Sequence, residues 1–183
     1  MIMSTGAMFS ADNKAEIFEY MPTTVVMDIL GSSEGGMGQT MATKDNVNTT
    51  AKFGAMPNTK VINFETGKEV APGSGEQGMV GVSGSGVPIG YYKDPEKSER
   101  TFRSFDGVRY SFPGDMAVVE ADGTITLLCR GSNCINTAGE KVFPEEVEEA
   151  VKTHDSIADC LVFGIPDEKF GQRVVGVACV NPG

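Results

Sequence analysis

The stretch best suited to chemistry is Gly31-Ser32-Ser33-Glu34-Gly35-Gly36, which follows directly on the β-rich run Thr23-Thr24-Val25-Val26-Met27-Asp28-Ile29-Leu30. A glycine-rich turn at the carboxyl end of a strand lets backbone N–H groups approach an anion. A hydroxyl beside a carboxylate can then serve a phosphate and Mg²⁺ together. Taken alone, such Ser/Gly loops are most often plain turns. A second carboxylate, Asp115, closes the stretch Tyr110-Ser111-Phe112-Pro113-Gly114-Asp115. A Pro-Gly-Asp turn commonly does no more than reverse the chain, yet its carboxylate accepts two hydrogen bonds in a fork, a geometry that suits a cis-diol. Arg130 ends an apolar strand-like run, where an arginine is ordinarily a solvated charge. His154, near a helix end, reads as surface favoured by the helix dipole rather than as a base.

These side chains need strands behind them. The opening reads as a strand ending at Gly6, a helix capped by Ser10 and running to about Tyr20 with Ile17, Phe18 and Met21 on its apolar side, and a strand over 23–30. Residues 31–60, rich in Gly, Thr, Asn and Met, read as loops with short strands. Between 60 and 130 the pattern is largely antiparallel β. It has turns at Glu65-Thr66-Gly67-Lys68, Pro72-Gly73-Ser74-Gly75 and Ala121-Asp122-Gly123. Asp94-Pro95-Glu96-Lys97 starts a short capped helix. Around 127–151 a strand end meets a polar link, Asn136-Thr137-Ala138-Gly139, and then a helix. Pro144 opens that helix and Glu145, Glu146, Glu148 and Glu149 crowd its positive end, with Val147 and Val151 on the buried side. A strand over 159–165, a Pro166-Asp167 turn and a strand over 173–180 follow. An ordinary strand–loop–helix would look the same at this point. The fold class is mixed α/β and β, with a boundary expected after Arg130.

The spacing at that boundary resembles the AMP-forming acyl-CoA synthetases and their adenylating relatives. In that family an Arg closes the large domain, a hinge follows, and a Gly precedes a Val/Ile-x-Pro-x-Glu-Val/Ile-Glu helix start. The matching residues are Arg130, Gly139, Val142, Pro144, Glu146, Val147 and Glu148. The resemblance implies that residues 1–130 are the later part of a large nucleotide-binding domain. Residues 131–183 would be the hinge and first part of a mobile α+β domain. It further implies that Ser33 bonds the nucleotide α-phosphate, that Glu34 holds Mg²⁺, and that Asp115 takes both ribose hydroxyls. Arg130 would contact ribose or phosphate, and Gly6, Ala7 and Gly31 would line the acyl and nucleotide pocket. Ser132 is the implied hinge and Gly139 falls in the loop of the thioester step. Where the family often has Tyr, Thr and Lys, this chain has Leu30, Pro113 and Asn136. The segment 81–93, ending Gly90-Tyr91-Tyr92-Lys93, matches a family element of structural character.

The implied activity is acyl-CoA synthesis: a carboxylic acid joined to ATP as acyl-AMP, then transferred to coenzyme A. A luciferase-like or peptide-synthetase adenylating enzyme, or a non-catalytic adenylate-binding module, is the alternative. The family's phosphate loop and C-terminal Lys are not found in these 183 residues, so the chain by itself is expected to be inactive. A net charge of −10 disfavours a nonspecific nucleic-acid binder. The four cysteines, Cys129, Cys134, Cys160 and Cys179, form no metal-ligand spacing with the single His154. Two of them lie in apolar runs and read as buried free thiols of a cytoplasmic protein. No apolar run is long enough to span a membrane, and a homodimer is left open.

Overall fold

The structure is a computed structural model, and it describes residues 1–6, 9–47, 51–130 and 134–181. The chain divides into two compact units, Met1–Leu127 and Leu128–Gly183. The fold is mixed α/β.

The first unit opens with β1 (Ile2–Thr5), α1 (Ala11–Tyr20) and β2 (Val26–Ser32). The strands pair in parallel, Ile2 with Val26 through Thr5 with Ile29, so α1 is their crossover. Ser10 caps α1 by accepting from the Asn13 N–H at 3.2 Å. Phe18 packs with Val26 and Ala42 beneath the helix. The expected apolar side is only partly right: Met21 is exposed and Ile17 half-buried, while Lys14 is buried. The cause is an ion pair, with Lys14 Nζ 2.6 Å from Asp28 on β2.

The strands that follow are β3 (Gly35–Ala42), β4 (Lys52–Ala55), β5 (Thr59–Asn63), β6 (Lys68–Glu69) and β7 (Gln77–Ser83). Helix α2 (Pro95–Thr101) comes next, with the Asp94 side chain accepting from the Lys97 N–H. After it come β8 (Phe102–Phe105), β9 (Val108–Ser111), β10 (Asp115–Val119) and β11 (Ile125–Arg130). Together the described strands form an 11-stranded sheet, in the order β1-β2-β3-β4-β11-β10-β7-β5-β6 with β9 on β7 and β8 on β9. Beyond the β1–β2 pair its ladders are antiparallel, as expected for 60–130. The sheet curls so that Leu30 and Met37 share one core with Val61, Val80, Val82, Ala117 and Ile125.

Residues 31–60 differ from the expectation. β3 is a full eight-residue strand pairing with β2 from Val26–Ala42 to Ser32–Gly35. Its sequence hides this because its glycines answer close packing rather than turns. A Cβ on Gly38 would meet the Gly54 carbonyl oxygen and the Phe53 Cβ, each at 3.1 Å. The short strand β8 also lay outside the expected set.

In the second unit β12 (Ile135–Thr137) and β13 (Glu140–Val142) form a hairpin where a plain polar link was expected. Its turn residues Ala138 and Gly139 both have positive φ, 51° and 87°, as a two-residue hairpin of the I′ kind requires. Helix α3 (Pro144–Lys152) starts on its proline, with Phe143 before it. Strands β14 (Ile157–Asp167) and β15 (Gly171–Val180) complete a sheet ordered β13-β12-β15-β14. Pro166 and Asp167 still belong to β14, paired with Gln172 and Gly171, so the chain reverses two residues later than expected. Val147 and Val151 pack on Ile135, Cys160 and Val162. Of the cysteines expected to be buried in apolar runs, Cys160 is buried, whereas Cys179 on β15 is exposed.

Candidate functional site

Gly6 and Gly31 come together through topology alone. Thr5 pairs with Ile29 in the parallel ladder, so Gly6 and the Gly31 turn both stand at the carboxyl ends of neighbouring parallel strands. That is the edge at which α/β sheets bind ligands. The turn itself is tighter than its composition suggests. Ser32 pairs with Gly35, which leaves Ser33 and Glu34 as the two residues of a hairpin turn. Ser33 is exposed at its tip and Glu34 is half-buried. Gly35 follows at φ 152°, and a Cβ there would lie 2.9 Å from Val82 Cγ1, so the turn rests directly on β7. Leu30, where the family often has an aromatic residue, is buried in the core.

Two other elements reach this turn. Tyr91, in the loop before α2, donates its hydroxyl hydrogen bond to Glu34 Oε1. The Glu34 N–H donates to Ser32 Oγ at 3.3 Å. Burial pushes the Glu34 carboxyl up. The hydrogen bonds from Tyr91, from Ser32 and from its own backbone, with the Lys97 ammonium nearby, hold it below its ordinary value on balance. Glu34 is therefore a carboxylate at neutral pH. Asp115 begins β10, one residue before Met116, which pairs with Met79 of β7. That register puts it toward the same end of β7 that Gly35 touches, and it is 8% exposed.

The remaining predicted residues are placed less fully. Arg130 is the last residue of β11, and its side chain lies outside the described residues. Ala7 and the hinge residue Ser132 also lie outside them. Gly139 occupies the β12–β13 turn in the second unit. His154 is exposed after α3, its Nδ1 accepting from the Ser156 N–H at 3.2 Å, consistent with a surface role. The structure thus brings Gly6, Gly31, Ser33, Glu34 and Asp115 to one end of the first unit. Sequence reading missed Tyr91 as a site residue. It lies 57 residues from Glu34, and no spacing rule links a tyrosine before one helix to a hairpin turn elsewhere.

The donor set suits Mg²⁺ better than a transition metal. Among the described residues no three His, Cys, Asp or Glu side chains gather into a metal cage. Mg²⁺ is commonly held by one or two carboxylates plus phosphate oxygens of its nucleotide. Glu34, ionised and held by Tyr91 at Oε1, offers such a ligand beside the Ser33 hydroxyl. A separate shallow cavity of about 290 Å³, lined by Thr40, Asn46, Lys52, Phe53 and Thr124, contains none of these residues.

Residues 146–183 match the family model described as the AMP-binding enzyme C-terminal domain. Over its whole length the chain is 45% identical to a medium/long-chain-fatty-acid–CoA/3-oxocholest-4-en-26-oate–CoA ligase of Mycobacterium marinum, covering 33% of that protein. It is likewise 45% identical to the 3-oxocholest-4-en-26-oate–CoA ligase of Rhodococcus rhodochrous, over 98% of this chain and 32% of the relative. Its fold matches ATP-bound MatB from Rhodopseudomonas palustris with a TM-score of 0.80 and 29% identity, over 98% of this chain and 35% of that one. The chain spans about a third of the length of the curated relatives it matches. By sequence and fold together, the chain is similar throughout its length to about a third of each acyl-CoA ligase named here, and its fold is that of the adenylate-forming enzymes.

Proposed function

We propose that the protein carrying this chain activates a carboxylic acid with ATP and passes the acyl group to coenzyme A. The carrying observation is the turn at Ser33 and Glu34, which sets an exposed hydroxyl beside a half-buried, ionised carboxylate at the carboxyl edge of two parallel strands. In this reading a carboxylate oxygen of the acid attacks the α-phosphorus of ATP and pyrophosphate leaves, giving acyl-AMP. The sulfur of coenzyme A then attacks the acyl carbon, its thiol proton passing to solvent, and AMP leaves with the bonding electrons.

Ser33 donates to the α-phosphate, whose charge grows as the bond to pyrophosphate breaks. Asp115 accepts from the two ribose hydroxyls, and Arg130 contacts ribose or phosphate. Gly6, Ala7 and Gly31 let the ligand approach backbone. Glu34 would hold Mg²⁺, which when bound offsets phosphate charge. We place the domain boundary at 130/131, with Ser132 as the pivot of a mobile second domain and Gly139 near the thiol in the second step. The names of the relatives support a medium- or long-chain fatty acid, or a sterol side-chain carboxylate, as the acid. The free thiols Cys134 and Cys179, one half-buried and one exposed, support a reducing compartment such as the cytoplasm.

The test is release of AMP by the full-length protein, given ATP, Mg²⁺ and a fatty or sterol acid. AMP release that needs the acid and accelerates with coenzyme A is the expected result. Acid-dependent AMP release indifferent to coenzyme A would move the protein among other adenylating ligases, and no acid dependence would end the proposal.

A further inference from the structure

Tyr91 is held from three sides. Its backbone N–H donates to Ser98 Oγ at 2.8 Å, and Ser98 Oγ in turn donates to the Asp94 carbonyl at 2.6 Å. Its ring packs on Phe102 at 5.3 Å between centroids, and Lys97 Nζ sits 4.3 Å from the ring centre. The first turn of α2, capped by Asp94 at 3.0 Å from the Lys97 N–H, is the frame that fixes the Ser98 and Lys97 contacts, and Phe102 comes from the start of β8 at the other end of the helix. Apart from Tyr91, Glu34 draws its carboxyl hydrogen bonds from its own turn, from Ser32 and from its own backbone N–H. It stands on a two-residue turn, with its backbone N–H tied locally to Ser32. A glutamate side chain free to rotate about its three torsions loses rotamer entropy when it must hold one ligand geometry. A rigid donor on one carboxylate oxygen removes much of that cost beforehand.

Resting on the reading of Glu34 as the Mg²⁺ ligand, we infer that Tyr91 is a positioning residue for nucleotide activation. Its hydroxyl pins one carboxylate oxygen of Glu34 and leaves the other as the metal ligand. The residue acts through Glu34 and touches neither substrate nor metal. The arrangement is that of an outer-shell partner orienting a metal ligand, whose loss elsewhere weakens metal affinity or activity by about 10- to 100-fold.

The experiment uses the full-length protein and the variant Tyr91→Phe, which keeps the ring on Phe102 and removes only the donor. Binding of Mn²⁺ with a non-hydrolysable ATP analogue, followed by water-proton relaxation, is expected to weaken about tenfold. The half-saturating Mg²⁺ concentration in ATP–pyrophosphate exchange rises in step, while KM for the carboxylic acid stays unchanged. In a Glu34→Gln background, Tyr91→Phe adds no further loss, because the charged group it orients has gone. Unaltered Mn²⁺ affinity in Tyr91→Phe, or losses that simply multiply in the double variant, overturns the positioning role. Exchange by the wild type would meanwhile leave the acid-activating reading standing. A wild type that neither binds Mn²⁺ with the analogue nor exchanges pyrophosphate overturns both. Should Tyr91→Phe fail to fold, Ser98→Ala loosens the same frame and is expected to weaken Mn²⁺ binding about two- to tenfold. No change in that variant would then count against the role.

Discussion

Lys14 and Asp28 carry opposite charges in a place that excludes water, 2.6 Å apart and with side chains only 1% and 11% exposed. Burying both ions is costly, and their attraction offsets the cost only while both are present. Removing the lysine alone leaves a buried carboxylate without its counter-ion. Lys14→Met should therefore lower the unfolding free energy of the protein by about 3–5 kcal/mol in urea titration, and Lys14→Met with Asp28→Leu should recover most of the loss. A double variant no better than the single one would show that the pair's contribution is packing, not charge. Gly35 is constrained in a different way. Its φ of 152° and the 2.9 Å approach of a Cβ to Val82 both exclude a side chain. Gly35→Ala should cost about 1–3 kcal/mol. It should also raise KM for ATP, since the Ser33–Glu34 turn must lift off β7. Combining it with Val82→Ala should return only part of both losses, because the backbone strain remains.

Among the elements, β14 lies at the edge of its sheet, and Glu148 on α3 attends to that edge. Its Oε1 accepts the Val162 N–H at 2.7 Å, which satisfies a strand donor from a neighbouring helix. Glu148→Ala should cost about 1–2 kcal/mol and speed hydrogen exchange at the Val162 amide well beyond that at Val174 in the interior of the sheet. The reversal between β14 and β15 depends on Asp167, whose carboxylate accepts from the N–H groups of Phe170 and Lys169 at 3.0 and 2.9 Å. Those bonds hold its carboxyl below the usual value. A pKa lowered by folding adds stability at pH above the unfolded-state value, and that contribution is lost as pH falls through the folded one. Thermal scans of Asp167→Asn should therefore run closer to wild type at acid pH than at neutral pH. Helices and hairpins of this sort were legible from caps and turn residues: Ser10, Asp94, Pro144 and Asp122-Gly123 each mark a boundary that the structure keeps. β3 and the β12–β13 hairpin were not. The glycines of β3 answer neighbours distant in sequence, and the β12–β13 turn opens on Ala138 at positive φ, a conformation its residue type does not signal.

For the molecule as a whole, the fold class was readable because the βαβ opening, the antiparallel middle and the α3 start each carry their own signal. The candidate site was legible in part as motifs. Ser33, Glu34 and Asp115 stood out as short motifs, while their frame, with β7 beneath the turn and Tyr91 beside it, exists only once the sheet has curled. The elements described place a hydroxyl and two carboxylates at the candidate site, whereas the proposed reaction depends on preorganised donors and cations aimed at developing charge. The 183 residues assayed by themselves should accordingly give no ATP–pyrophosphate exchange above background, whereas the full-length protein should. Exchange by the isolated chain would mean that fewer groups suffice than this account requires.

The hairpin at Ser33 and Glu34 is two residues long, and its arms lead straight into the core: Leu30 on one side, Met37 on the other, with a shift of pairing register between Leu30 and Gly31. A further residue taken up by β3 beyond that shift would slip its pairing by a step and turn core positions outward. Surface loops ordinarily tolerate insertions, but here a change of length is felt in the hydrophobic packing unless the existing shift in the ladder absorbs it. Exchanging side chains at constant length is the change this corner takes at least cost.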